Sequence, residues 1–402
     1  EDIESLSKET MPDLIKKFSN YPNILALLNI RKKLSKTSIK KYYAMINCAM
    51  HDKRVRGTFQ FYGANRTGRW AGRLLQLQNL SKNHVSHIEI PRELIRKRDW
   101  ESVEMLYDDV ADVLSQLVRT ALIAPPDKVF SVADFSAIEA RVISWLANEK
   151  WRLDVFNGDG KIYEATGSKM FNVPISAITK GSVLRDKSKI SELALGYEGS
   201  LGALKRMGGE RMGLSDTEMV DLVRKWRIAN PAIVDMWKEI DEASKNAVRY
   251  RKPISCTCRN IIFDCDGDYM TIQLPSGRKL FYKGPRFKDK KIGQSTMSSL
   301  YYQGTVQKTK QWGEIDTYGG KLTENIVQAI ARDLLANSML QLEAAGYKIV
   351  CHIHDECLAE VPKENAQAYY EKMTHIMSIP PTWAHDIPLR ADGYVTPFYL
   401  KD

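Results

Sequence analysis

Hydrophobic and polar positions divide the chain into alternating helical and extended stretches. Residues 1–60 read as helical and basic. In RKKLSKTSIKKYYAMI, Leu34, Ile39, Tyr42 and Ile46 form a loose apolar stripe among Arg31, Lys32, Lys33, Lys36, Lys40 and Lys41. Such a helix is either a solvated face or a grip on phosphates. Residues 57–80, GTFQFYGANRTGRWAGRLLQLQNL, are rich in Gly, Arg, Asn and Gln with few apolar anchors, and read as a loop. Helical periodicity returns over 101–123 and is broken by Pro125-Pro126. A β run, VFSVADF, then puts Asp134 at the C-terminal end of a strand. SAIEARVISWLA follows it with Ile138, Val142 and Trp145 on one helical face.

Residues 150–245 are mainly helical, and Ser215-Asp216-Thr217-Glu218 marks one helix start with a capping box. Over 253–285 the pattern changes to β-prone segments (ISCTC, IIFDC, YMTIQL, KLFYKG) separated by turns at Asp266-Gly267 and Pro275-Ser276-Gly277. A helix is predicted at about 322–345, stopped by Gly346. Then YKIVCHI and CLAEVP read as two strands around a tight His354-Asp355-Glu356 turn. No internal repeat or low-complexity segment interrupts this order.

A chain of 402 residues with 44 % hydrophobic and 27 % charged residues has the composition of a globular protein of two to four packing units. No apolar run is long enough to span a membrane, and no signal peptide opens the chain. The formal net charge is +10 and the pI about 9.1, which favours a polyanionic partner without proving one. The six cysteines are scattered, and the C-x-C of Cys256 and Cys258 lacks zinc-ligand spacing, so reduced thiols are expected.

Against this background two acidic positions stand out: Asp134, and Asp355 with Glu356. Each sits at the edge of a hydrophobic β run, where a carboxylate is costly unless paired or bound to a cation. Oxygen-only ligands suit Mg²⁺ or Mn²⁺, and two such ions serve phosphoryl transfer. Taken singly, each acid also fits a turn or cap residue. A third feature lies in GSVLRDKSKISELALGYEGS, where Arg185, Lys189, Leu193 and Tyr197 are spaced four apart. On a helix these form one slowly drifting stripe. Its cations suit a triphosphate and its apolar and aromatic members a base, although a basic surface helix with a buried end has the same pattern.

Together these segments resemble the family A DNA polymerases. VADFSAIEARVISWLA resembles that family's motif A, the helix from Arg185 to Gly199 its motif B, and HIHDECLAEVP its motif C. TGRWAGRLLQLQNL is similar to the segment that touches primer and template, and NIVQAIARDLL to the helix that lies against the template. Five motifs stand in the family's order across roughly residues 60–362. The resemblance implies an α+β fold of right-hand architecture, with an antiparallel palm sheet, helical fingers and a short helical thumb. Residues 1–60 would be the thumb or its base, 61–149 palm, 150–245 fingers and 246–402 palm.

The same resemblance implies roles. Asp134 and Asp355 would hold two Mg²⁺ ions (or Mn²⁺), with the backbone carbonyl of Phe135 in reach and Glu356 in support. Glu139 would lie under the sugar and exclude a 2′-hydroxyl, and Arg141 would brace the site by pairing with a carboxylate. Arg185 and Lys189 would neutralise the incoming triphosphate, and Tyr197 would stack near the template base or pack in the insertion site. Arg69 and Gln328 would contact the duplex, His354 the primer terminus and Asn79 the template. Partners would be primer-template DNA and dNTPs. The chain would be a monomer of the cytoplasm (a bacterial host's, if phage-encoded), with no proofreading exonuclease.

The chain also departs from the family pattern. Leu193 stands where Phe or Tyr is usual, so sugar discrimination there lacks a flat π face. Glu192-Leu193-Ala194 replaces Asn-Phe-Gly, Glu198 separates Tyr197 from Gly199, and Lys161-Ile162-Tyr163 replaces D-I-H, making Tyr163 a substitute phosphate donor. Three rival readings share parts of the pattern. A single-subunit RNA polymerase is opposed by Glu139. A two-metal nuclease needs no Arg185/Lys189 stripe. A non-catalytic DNA-binding subunit needs neither aspartate.

Overall fold

The computed structural model describes residue 6 and residues 10–34, 39–292, 295–307 and 309–400. Lys36 of the basic stretch lies outside these. The described part begins with helices α1 (Met11–Lys17), α2 (Pro22–Leu34) and α3 (Lys40–Cys48). Within α3 only part of the expected stripe is covered. Tyr42 donates its hydroxyl to the Leu114 carbonyl at 2.8 Å, while Ile46 is exposed.

The glycine-rich region after α3 is not wholly a loop. It contains an antiparallel hairpin, β1 (Phe59–Ala64) and β2 (Arg69–Gly72). Its strand character was hidden because its side chains are half exposed and carry no clean alternation. Close packing shapes it: a Cβ on Gly63 would meet Ala71 Cβ at 2.4 Å. Helices α4 (Glu89–Lys97), α5 (Trp100–Leu106) and α6 (Val110–Leu117) follow. The single helix expected over 101–123 is thus split, because Asp109 leaves helical geometry and caps α6 through the Asp112 amide at 3.0 Å.

Strand β3 (Lys128–Phe135) leads directly into α7 (Ile138–Ala147), and a helical run follows: α8 (Lys150–Asn157), α9 (Ile162–Phe171), α10 (Val183–Leu195), α11 (Leu201–Arg206), α12 (Asp216–Ala229) and α13 (Pro231–Tyr250). Both capping-box bonds at Ser215 and Glu218 are present. Six strands come next: β4 (Ile254–Ser255), β5 (Ile262–Asp266), β6 (Tyr269–Gln273), β7 (Lys279–Ile292), β8 (Ser295–Thr305) and β9 (Trp312–Thr317). Then follow α14 (Gly319–Ala344), β10 (Lys348–Ile353), β11 (Glu356–Pro362), α15 (Ala366–Met377) and β12 (Ala391–Thr396). Helix α14 starts three residues before the expected point and ends beside Gly346, whose φ is +88°. No helix among the described residues is long and apolar enough to cross a membrane.

Two sheets organise the molecule. In the four-stranded antiparallel sheet the order is β10-β11-β3-β12. β3 reads as a continuous apolar run because both its faces are covered. Val129, Ala133 and Phe135 join the core that includes α7, α14 and α15. Phe130 and Val132 face a second cluster with Leu75, Leu358 and Tyr399. Only the C-terminal end of β3 carries a carboxylate, so Asp134 sits where the apolar layer ends. The six-stranded sheet runs in simple sequence order, β4 to β9, as an antiparallel meander. Its inner face buries Met270, Ile272, Leu280, Tyr282, Leu300 and Tyr302. The outer halves of β8 and β9 are Ser-, Gln- and acid-rich, which concealed these strands from the sequence pattern.

Candidate active site

Asp134 and Asp355 come together because the end of β3 and the start of β11, the two central strands, lie side by side at one rim of the sheet. β3 and β11 run antiparallel with Glu356 opposite Asp134. The Phe135 amide donates to the Asp355 carbonyl at 3.2 Å. Neighbouring strands lie about 4.8 Å apart, so the two aspartates leave adjacent backbone. His354 takes a left-handed φ of +56° in the tight turn between β10 and β11. Both aspartates line one open cavity of about 340 Å³ with Glu139, Tyr163, Leu193, Tyr197 and His354. Asp392 of β12, unforeseen in the sequence, is the register partner of Asp134 on its other side, with Arg390 at 3.2 Å.

Helix α7 brings Glu139 to the cavity, and both its carboxylate oxygens are engaged. Arg69 Nη2 donates to Oε1 at 3.0 Å, and the Tyr197 hydroxyl donates to Oε2 at 2.7 Å. Arg69 Nη2 also lies 3.7 Å from Asp355 Oδ1. Arg69 therefore links the carboxylate of α7 to that of the β10–β11 turn. Burial, and then Glu139, push the Tyr197 phenol well above its ordinary range, so it stays a neutral donor.

The α10 stripe divides. Lys189 and Leu193 are exposed on the side that leads to Tyr197. Arg185 is instead held by Glu164 of α9, Nε to Oε1 at 2.6 Å, with its guanidinium 5.6 Å from the Tyr163 ring centre. Burial raises the Tyr163 phenol, keeping it protonated. Lys161 is exposed and pairs with Asp159 at 3.3 Å.

Several expected residues have other surroundings. Among the described residues Arg141 pairs with no carboxylate. It is buried and donates to three carbonyls: Ser136 at 2.7 Å, Pro388 at 2.7 Å and Phe156 at 3.3 Å. Burial lowers it to about 10. It ties α7 to the segment before β12, bracing the site through backbone. Glu356 lies outside the cavity, fully buried, and accepts from the Tyr399 hydroxyl at 2.7 Å. Arg119 in turn donates to that same hydroxyl at 2.9 Å. Asn79 sits in an exposed turn and donates to Gln76 at 3.1 Å. Gln328 lies on α14 in a neighbouring groove that also reaches Arg69.

Two residues at the departures from the family pattern have structural work that sequence reasoning missed. Glu192 is buried and bidentate with Arg152, at 2.8 and 2.6 Å, while Thr166 and the Trp226 indole also donate to it. Burial would raise its carboxyl, but Arg152 and these hydrogen bonds outweigh that and hold it below the ordinary value. Helices α8, α9, α10 and α12 are thereby pinned at one point. Glu198 occupies left-handed φ +59° and accepts the Gly320 amide at 3.0 Å, at the start of α14. The approach is close: a Cβ on Gly320 would meet the Tyr197 carbonyl at 2.5 Å. The family usually has glycine after this tyrosine, which the left-handed backbone explains. A glutamate persists there with its carboxylate on the helix N-terminus.

An antiparallel sheet with two aspartates at the ends of its central strands, and a helix that carries Lys189 and brings Leu193 and the following Tyr197 to the same cavity, defines a polymerase-type domain. The fold agrees with the solved POL domain of Pol1 from M. smegmatis in complex with DNA primer-template and dNTP. The TM-score is 0.62 at 17 % identity, over 98 % of this chain and 56 % of that one. The sequence model for DNA polymerase family A matches residues 2–258. A DNA polymerase of Bacillus phage SP02 is 48 % identical over 401 residues, all of this chain and 61 % of that protein. DNA polymerase I of Pseudomonas aeruginosa is 31 % identical over 94 residues, 23 % of this chain and 10 % of that protein. The chain belongs to DNA polymerase family A. It spans about three fifths of the phage relative's length.

Proposed function

We propose that this chain extends a DNA primer along a template, adding deoxynucleotides to the 3′-hydroxyl and releasing pyrophosphate. The observation that carries the reading is the meeting of Asp134 and Asp355 in one cavity with Glu139, Leu193 and Tyr197, in a family A chain. In this reading the four-stranded sheet is the palm, residues 150–245 are the fingers, and residues 1–60 are the thumb or its base.

The donor set fits a hard divalent cation. Asp134 and Asp355 offer oxygen only, and the Phe135 carbonyl would add another. Among the described residues no group of three or more His, Cys, Asp or Glu forms a closed metal cage. Two carboxylates and a carbonyl would leave the remaining positions to water and substrate phosphate, as Mg²⁺ prefers. When bound, the ions would lower the pKa of the attacking hydroxyl and offset charge on the leaving pyrophosphate.

The chain's own residues do the positioning. Lys189 meets the triphosphate, and Arg185 joins it by exchanging Glu164 for phosphate. Tyr163 offers a neutral hydroxyl beside them. Leu193 packs on the nucleotide without a π face. Glu139, fixed on both oxygens, occupies the space a 2′-hydroxyl would need, so ribose is excluded by bulk and by an unpaired polar group. Tyr197 must leave Glu139 or carry it along when a base pair enters. Arg69, Gln328 and His354 hold the primer end, and Asn79 reaches the template. Glu356 supports the turn from beneath through Tyr399. The work belongs in the cytoplasm, where primed DNA and dNTPs are found.

The direct test is extension of a labelled primer on a template with Mg²⁺, using each dNTP singly, a ribonucleotide and a chain terminator. Template-dependent lengthening with dNTPs supports the reading. Shortening, or equal use of ribonucleotides, overturns it.

A further inference from the structure

The six-stranded sheet carries chemistry that the cavity does not use. Between residues 279 and 317 the sequence holds eight Lys or Arg against three Asp or Glu, half of the chain's net charge in a tenth of its length. Register puts the polar side chains on one face. Tyr269 is opposite Lys283, Thr271 opposite Phe281, Lys283 opposite Gln303, and Thr305 opposite Trp312. Cross-strand partners share a face, so Tyr269, Phe281, Lys283 and Trp312 all project from the side opposite the buried Tyr282 and Tyr302.

Three of these side chains are large aromatics left in water: Tyr269 is 41 % exposed, Phe281 56 % and Trp312 60 %. Tyr269 and Phe281 stand edge to face, 6.2 Å apart. Burial of such rings is strongly favourable, so three on one charged face mark a surface that something covers. Part of the charge is already balanced. Glu314 holds Arg286 and Lys288, and Asp316 holds Lys290 and Lys321. Lys283 and Lys310 make no ion pair among the described residues and stay available to an anion.

The face also has a direction. An open groove of about 670 Å³ is lined by Arg69 and Gln328, beside the proposed catalytic cavity, by Tyr282 and Tyr302 of the inner face, and by Phe281, Lys283, Lys310 and Trp312 of the outer one, so it joins the two faces. The turn of the β1–β2 hairpin closes one wall, with Arg66 donating to the Thr305 carbonyl at 3.2 Å. Exposed rings interleaved with lysines suit unpaired bases: the rings stack on base faces and the lysines follow the phosphates. A duplex hides its base faces and would use only the lysines.

We propose that the outer face of this sheet holds the single-stranded part of the template, with Tyr269, Phe281 and Trp312 as stacking platforms and Lys283 and Lys310 on its backbone. The word template rests on the polymerase reading. The stacking surface rests on the sheet alone.

The test compares binding of the full chain, by fluorescence anisotropy, to primer-templates with a 5′ template overhang of about 2 or about 12 nucleotides, bracketing usual single-strand site sizes. Wild type should bind the long overhang roughly ten-fold more tightly or better. Phe281→Ala combined with Trp312→Ala should lose most of that gain and leave short-overhang affinity and thermal melting unchanged. Both rings are exposed, so their loss leaves no core cavity. Lys283→Ala with Lys310→Ala should flatten the salt dependence of long-overhang binding by about 0.7 per lysine in log–log slope. An affinity blind to overhang length, or a gain that survives loss of both rings, overturns the proposal. Primer extension on the same samples separates the two readings. Extension without overhang dependence removes the stacking surface alone. Overhang dependence without extension removes the polymerase reading and leaves a single-strand surface.

Discussion

The Tyr197 hydroxyl donates to Glu139 Oε2 at 2.7 Å, tying the segment after α10 to α7 across the cavity that holds Asp134 and Asp355. Arg69 holds the other oxygen of Glu139, so the acid proposed as the sugar gate is fixed from two sides. In the proposed reading, this bond joins the helical segment that would deliver the nucleotide to the element that would inspect its sugar.

The gate should therefore weaken in steps. Glu139→Ala is expected to raise ribonucleotide use relative to deoxynucleotide by roughly ten-fold or more. Tyr197→Phe, which removes one of the two anchors, should shift it in the same direction by less. The ratio of kcat/KM for dNTP and rNTP measures both. Unchanged ratios in both variants would remove Glu139 from sugar selection.

The buried Arg152–Glu192 pair should be a large single contributor to the stability of the helical segment. Glu192→Gln leaves a guanidinium buried without its counter-charge, at a cost of roughly 3–5 kcal/mol. Replacing both residues together, Arg152→Met with Glu192→Leu, should cost less than the sum of the singles. Urea unfolding at neutral pH reads this. Because the Glu192 carboxyl is held below its ordinary pKa, its contribution is present at neutral pH and lost as pH falls through that lowered value.

His352 makes the second pH dependence. It is buried, 4.4 Å from the Phe59 ring and 4.6 Å from Trp70, and burial with Arg332 nearby lowers it to about 4. The unfolded chain takes up its proton near pH 6.5 and the folded chain only near 4. Stability should thus be full above 6.5 and decline by roughly 3 kcal/mol as pH falls to 4. His352→Phe should remove that part of the slope, seen in urea midpoints at pH 7 and pH 4.5.

Where local chemistry decided the structure, the sequence was readable. The capping box at Ser215 depends on four consecutive residues. β3 has apolar neighbours on both faces, so VFSVADF could only be a buried strand with Asp134 at its rim. Asp134, Asp355, Glu139 and Tyr197, each singled out by a separate motif, line one cavity. Features set by distant partners were not readable. Glu192 looks like an ordinary helix-surface glutamate until Arg152 and Trp226 fold against it. Arg141 suggested a carboxylate partner, yet carbonyls from three separate segments satisfy it. β8 hid because its outer face is Ser- and Gln-rich and β9 because its outer face is acidic, and β1 and β2 because neither of their faces is fully covered.

The central claim is that Asp134 and Asp355 together hold the cations that drive nucleotide transfer. Single-turnover incorporation of one correct dNTP, with primer-template affinity measured in parallel, tests it for Asp134→Asn and Asp355→Asn. Each variant should bind primer-template about as wild type does and incorporate roughly a thousand-fold more slowly or worse. Incorporation within about ten-fold of wild type by either variant, with DNA binding intact, would contradict the account.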